Sequence, residues 1–208
     1  PLYNIPGMLD LQGTLDPALL AAALGEIVRR HEVLRTTFAV AGGDEEPVQV
    51  IHPAAAGALP LVDLTALAAA ARRSTAAALA RAEARRPFDL VRGPLLRAVL
   101  LRHSGAAERA HHALLFNVHH VVFDGWSIGV FLHELTALCR ALAAGDPSPL
   151  PELGVQYADF AVWQRQWLRG EVLERQLGYW RRQLADLPVL ELATDRPRPA
   201  LQTNRGAL

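Results

Sequence analysis

Leu20, Leu24, Ile27 and Val28 fall every three or four positions, the spacing of one helical face. Asp16 and Pro17 open that stretch, a capping residue followed by a first-turn proline, and the helix they start is expected to end near Arg30. Residues 8–15 alternate loosely and predict a strand. Residues 36–40 and 48–51 flank Gly42-Gly43-Asp44, which predicts a hairpin. Residues 65–86 are rich in Ala with Arg and Glu interspersed, a mixture that favours a helix with a solvated outer face, and Pro87 stops it. Residues 95–102 and 113–118 predict two strands, the second almost wholly apolar and therefore buried. Helices are expected over 127–143, 157–169 and 171–185, with a loop at 145–154. The tail 188–208 has few periodic apolar positions and is expected to be extended. This order predicts an α/β fold of the α+β sandwich type, a mixed sheet with helices packed on one side.

Composition narrows the function classes. A chain of 208 residues that is 51% hydrophobic and 20% charged has material for one large or two small domains and is too apolar for intrinsic disorder. No apolar run is long enough to span a bilayer without charges. Basic and acidic side chains balance at 21 each, which leaves no broad basic surface for nucleic acid or anionic lipid. Every basic side chain is Arg and none is Lys, which excludes Schiff-base and P-loop lysine chemistry. The single Cys139 excludes an internal disulfide and a cysteine-based zinc site. The chain opens on Pro1, so it is expected to be a piece of a longer protein or a processed product.

Candidate chemistry concentrates in His119-His120-Val121-Val122-Phe123-Asp124-Gly125, between a buried strand and a helix. A histidine there can take a proton from an attacking amine or alcohol. Two adjacent imidazoles on an extended segment cannot face the same way, so one is expected in a cleft and one inward. The plainer alternative is a pair of packed histidines with a helix-capping Asp124. His111, His112, His119, His120 and Asp124 are all residue types that bind metals, but no H-E-x-x-H or cysteine pair accompanies them, and no metal is expected. Gly125-Trp126-Ser127-Ile128-Gly129 matches the G-x-S-x-G nucleophile elbow. The acid and histidine that must follow it are not suitably placed, since His133 is in the same helix. Ser127 is better read as a helix cap. Trp163, Trp167 and Trp180 are expected to be packing residues.

His119–Gly125 has the HHxxxDG form of condensation domains of non-ribosomal peptide synthetases, relatives of chloramphenicol acetyltransferase. Further blocks agree in order. Arg30–Phe38 resembles RHExLRTxF, and Tyr157–Gln164 resembles YxDFAxWQ. Pro87-Phe88-Asp89-Leu90, Gly93–Arg97 and Asp195–Pro199 are also similar to blocks of that family. The chain resembles about the first half of such a domain. The usual SxAQxRLW opening is not found before Tyr3, and a second lobe is not found after Leu208.

The resemblance implies a chloramphenicol acetyltransferase-like lobe over 1–185 and an extended crossover over 186–208 leading toward a second lobe. It implies formation of a peptide bond between a donor thioester and the amine of an acceptor aminoacyl thioester. His120 would be the general base or the group that positions the amine, with His119 supporting the loop from inside. Gly125 would let the loop approach the thioester, and Asp124 would pair with an arginine, Arg35 first and Arg30 second. No cofactor would be bound directly, since phosphopantetheine arms would arrive on donor and acceptor peptidyl carrier proteins. An adjacent adenylation domain is the other expected partner; neither nucleic acid nor membrane is, and the setting is expected to be cytoplasmic. Alternatives are an epimerising, ester-forming or free-standing carrier- or CoA-dependent acyltransferase of the same fold, or a lobe that only docks carriers. Cyclisation is disfavoured because those domains replace the two histidines with Asp. The VVFDGWSIGV context looks more like domains that take an L-configured donor.

Overall fold

Asp16 caps α1 (Pro17–Arg30) as its place before Pro17 predicts, its carboxylate accepting the Ala18 N–H at 2.8 Å. Leu20, Leu24 and Ile27 of that helix are buried. The computed structural model describes residues 2–40, 46–55, 57–104, 110–190, 192–193, 195–197 and 200–201. A short 3₁₀ turn (Glu32–Arg35) follows α1 and leads into β2 (Thr36–Ala39), which pairs antiparallel with β3 (Val48–Ile51). The expected turn residues Gly42, Gly43 and Asp44 lie outside the described residues.

The main sheet has the order β1 (Asn4–Gln12), β6 (His111–His119), β5 (Leu96–Ser104), β4 (Leu61–Asp63). β1 and β5 run antiparallel to β6, and β4 runs parallel to β5, so the sheet is mixed. β1 starts four residues before the expected strand and carries Pro6 and Gly7. Both are tolerated because β1 is an edge strand. Gly7 has a second reason: a Cβ there would lie 2.0 Å from the Phe116 ring, which crosses the strand at that point.

Alternate residues of β6 enter different clusters. Leu114, Phe116 and Val118 pack with α1 and with Phe131, Leu135 and Leu138 of α3 (Gly125–Ala144). Ala113 and Leu115 pack with Leu101 and with Ala76, Leu79 and Ala80 of α2 (Ala69–Arg85). The sheet therefore carries helices on both faces, where one covered face was expected. A strand that is apolar on both sides of its pleat needs cover on both. No residue of α2 is fully buried. α3 is long and apolar enough to cross a membrane by length and composition, yet one of its faces lies in this core.

The chain divides into two compact units, the first spanning Tyr3–Ala158 and the second Asp159–Leu208. The boundary falls inside α4 (Tyr157–Trp167), which is followed by α5 (Gly170–Gln183). On α4 the Trp163 and Trp167 rings stack at 5.4 Å. Trp163, Trp167 and Trp180 are each about half exposed.

Candidate functional site

β6 is buried from His112 to Val118 and stops at His119. There the ladder gives way to a turn in which the Val122 N–H donates to the His119 carbonyl at 3.1 Å. Val122 and Phe123, both 6% exposed, return the chain to the core. The two residues between these anchors, His120 and Val121, are pushed into solvent. Among the described residues His120 is held through its backbone alone, its N–H donating to the Tyr3 carbonyl at 2.8 Å. Tyr3, Val121 and Trp126 are exposed apolar side chains, Trp126 85% exposed.

His119 takes the opposite orientation. Its ring is half-buried, with centroids 6.1 Å from Tyr3 and 5.9 Å from Phe88, and its Nδ1 accepts the Val121 N–H at 3.1 Å. That acceptor role places any proton of the neutral ring on Nε2. Burial, together with the neighbouring His120, holds the His119 pKa below the ordinary imidazole value. Strand geometry thus presents one imidazole outward and one inward.

Asp124 is the N-cap of α3. Its carboxylate accepts from the Ser127 N–H at 2.9 Å and from the Ser127 hydroxyl at 2.7 Å, and the Ser127 hydroxyl accepts the Asp124 N–H at 3.3 Å. This reciprocal pair is a capping box, and these bonds to Ser127 pull the Asp124 carboxyl below the usual carboxylate range. The expected contact with Arg35 or Arg30 is not formed: among the described residues the side-chain bonds of Asp124 run to Ser127, and the ion pairs of the two arginines run to other acids. Its oxygens are instead taken locally by the first turn of α3. The two arginines are engaged elsewhere. Arg35 bonds Glu32 at 3.1 Å and the His52 carbonyl. Arg30 is 3% exposed and donates to the Pro151 carbonyl at 2.8 Å, with Glu134 of α3 at 3.4 Å. Gly125 opens α3 with open space where a Cβ would be.

Glu134 is a residue that sequence reasoning missed. It also accepts from His31 Nε2 at 2.8 Å, so the Arg30-His31 pair of the RHE block grips the middle of α3. Gln156 completes the grip, accepting the Glu32 N–H at 3.1 Å and donating to the Arg30 carbonyl at 2.8 Å. A lone acid within the buried stripe Phe131, Glu134, Leu135, Leu138 is a readable signal, because a buried carboxylate requires a cation or donors.

The other histidine pair lies at the far end of β6. His111 contacts Asp10 and stacks on His103 at 4.9 Å, and His112 is buried. Among the described residues no group of three or more His, Cys, Asp or Glu side chains is placed to hold a metal ion. The arrangement therefore offers a solvent-facing imidazole on a turn clamped at both ends. Such a group can accept a proton or hold an amine beside an electrophile.

A family profile described as Condensation domain matches residues 1–207. The chain is 50% identical over 208 residues to a linear gramicidin synthase polypeptide of Brevibacillus parabrevis, covering 100% of this chain and 3% of that protein. It is 46% identical to phosphinothricin tripeptide synthetase PhsC of Streptomyces viridochromogenes, covering 100% of this chain and 19% of that one. Its fold matches the crystal structure of the X-domain from teicoplanin biosynthesis with a TM-score of 0.79 at 33% identity, over 96% of this chain and 42% of that chain. The chain thus spans a small part of the curated relatives and under half of that structure. With a profile match over nearly its whole length and half its residues shared with a peptide synthetase, this chain belongs to the condensation-domain family.

Proposed function

We propose that this chain is the histidine-bearing half of a domain that joins a donor acyl or peptidyl thioester to the amine of an acceptor aminoacyl thioester. Both substrates arrive on phosphopantetheine arms of peptidyl carrier domains, in a cytoplasmic synthetase that also carries an adenylation domain. The acceptor nitrogen attacks the thioester carbonyl carbon, the C–N bond forms and the C–S bond breaks. His120 takes the proton from nitrogen or holds the amine in line, and the departing pantetheine sulfur leaves as a thiol once protonated. No metal and no covalent enzyme intermediate is needed. A thioester is already activated, and alignment alone can lower the barrier by about 7–11 kcal/mol.

The observation that carries this reading is the exposure of His120 at the tip of a turn whose flanking residues are anchored. The exposed apolar side chains of Tyr3, Val121 and Trp126 support a second lobe closing over this surface, with residues 1–185 forming this lobe and 186–208 continuing toward the other. The test is His120→Ala in the intact domain with both carriers loaded. Peptide yield is expected to fall about 10²–10⁴-fold. Unchanged yield, or carrier docking without peptide formation by the wild type, overturns the assignment.

A further inference from the structure

We propose that Phe88 is a positioning residue, which sets the His119 ring and through it the turn that carries His120. This inference rests on the role given to His120 above. Phe88 follows α2 at the point where that helix is tied to the sheet. Asn4 donates to the Ala84 and Arg86 carbonyls at 2.8 and 2.9 Å, and Asn117, fully buried, donates to the Glu83 carbonyl at 2.7 Å. Arg97 adds bonds to the Arg86 and Pro87 carbonyls at 2.8 and 3.2 Å and pairs with Glu83. Its guanidinium carbon then lies 3.7 Å from the Phe88 ring centroid. The ring is thus held by the anchored chain just before it and by a cation over its face.

Phe88 meets His119 edge to face, the two planes at 82°, the arrangement aromatic quadrupoles favour. Tyr3 supplies the second contact at 52°. Between these rings the imidazole has little freedom to turn, and its Nδ1 stays aimed at the Val121 N–H. Rotation of the imidazole would break that bond inside the turn whose next residue is His120. A chain of contacts therefore runs from Glu83 through Arg97, Phe88 and His119 to the turn.

The test uses the intact domain with loaded carriers. Phe88→Leu keeps bulk but loses the planar edge, and is expected to lower kcat about 10–100-fold, as misplacement by an ångström can. The KM for the loaded carriers stays within about two-fold, because no binding contact is removed. Phe88→Tyr restores kcat. A readout independent of activity is diethylpyrocarbonate labelling mapped by mass spectrometry. In the wild type His120 labels faster than His119, and in Phe88→Leu the His119 labelling rises. Wild-type kcat in Phe88→Leu, or a lost kcat with His119 labelling unchanged, overturns the proposal. Should Phe88→Leu not fold, Arg97→Lys loosens the same clamp, and unchanged His119 labelling there overturns it equally. If His120→Ala keeps full peptide yield while Phe88→Leu still uncovers His119, the role of His120 falls and only the packing of Phe88 on His119 stands.

Discussion

One His-His pair opens β6 and another straddles its end, and the two pairs have different fates. His111 and His112 both remain in the ladder, opposite Gln12 and Leu11 on one side and Ser104 and Arg102 on the other. His111 is drawn to Asp10, and His112 is buried with its Nδ1 unpartnered among the described residues. At the other end the ladder stops after the first histidine, so His119 stays against the sheet and His120 leaves it. The same dipeptide is structural when both backbones are paired and available for chemistry when the strand ends between them. What separates the pairs is the turn and the helix cap that follow, since Asp124 starts α3 four residues after His120.

The largest effect that could break this contrast is catalytic. In the intact domain His111→Ala should leave peptide yield within about two-fold, while His120→Ala removes it by the orders of magnitude expected of a proton-transfer group. Equal losses from both would show that position along β6 does not separate them.

The next effect concerns the helix that only the His120 end leads into. Glu134→Leu leaves the Arg30 guanidinium buried without its acid and should cost about 3–5 kcal/mol in urea unfolding. A loss under about 1 kcal/mol would mean that the Arg30–Glu134–His31 contact does not hold α3.

A smaller effect separates a cap from an ion pair at Asp124. Asp124→Ala should lower the melting temperature, and Asp124→Asn should recover most of it, because asparagine caps as well as aspartate does. An ion pair would be lost in both, so equal destabilisation by the two variants would restore an arginine partner.

The mildest effect is a two-step response to acid. Burial holds His103, His112 and His119 below the ordinary imidazole value of 6.5. The unfolded chain therefore binds protons that the folded one refuses, so stability is full above that value and falls as pH drops below it. The carboxyls of Asp10, held down by its bond to His111, and of Asp124, held down by Ser127, lie below 3.8. Their contribution is lost only at still lower pH. Melting temperatures that stay flat from about pH 8 to pH 5 would contradict the first step.

Much of the fold was legible because its signals are local. The Asp16–Pro17 start, the apolar stripe of α1, the stop at Pro87 and the blocks around His119 are each written in a few adjacent residues. β4 was missed because Leu61–Asp63 is three residues long with only the middle one partly buried, too short for a period to register. β1 was read late because Pro6 and Gly7 look like strand breakers until the edge position and the Phe116 ring are known. At the site, the exposed His120 followed from strand alternation, whereas the partner assigned to Asp124 did not. An Asp three residues before a Ser at a helix start already has a local explanation, and it prevailed over a distant arginine.

α2 contributes little to the interior, yet its last turn is fastened by Asn4, Asn117 and Arg97 to the strands beside the histidine turn. Its first turn is held as well, Arg72 donating to the Thr65 and Leu67 carbonyls at 3.3 and 3.0 Å and to the His103 carbonyl. The solvent side of its body can therefore be rewritten or given a label, provided both anchored ends and the face carrying Ala76, Leu79 and Ala80 are left alone. That makes the exposed positions Arg73, Ser74, Ala77 and Ala78 a natural place to attach a reporter.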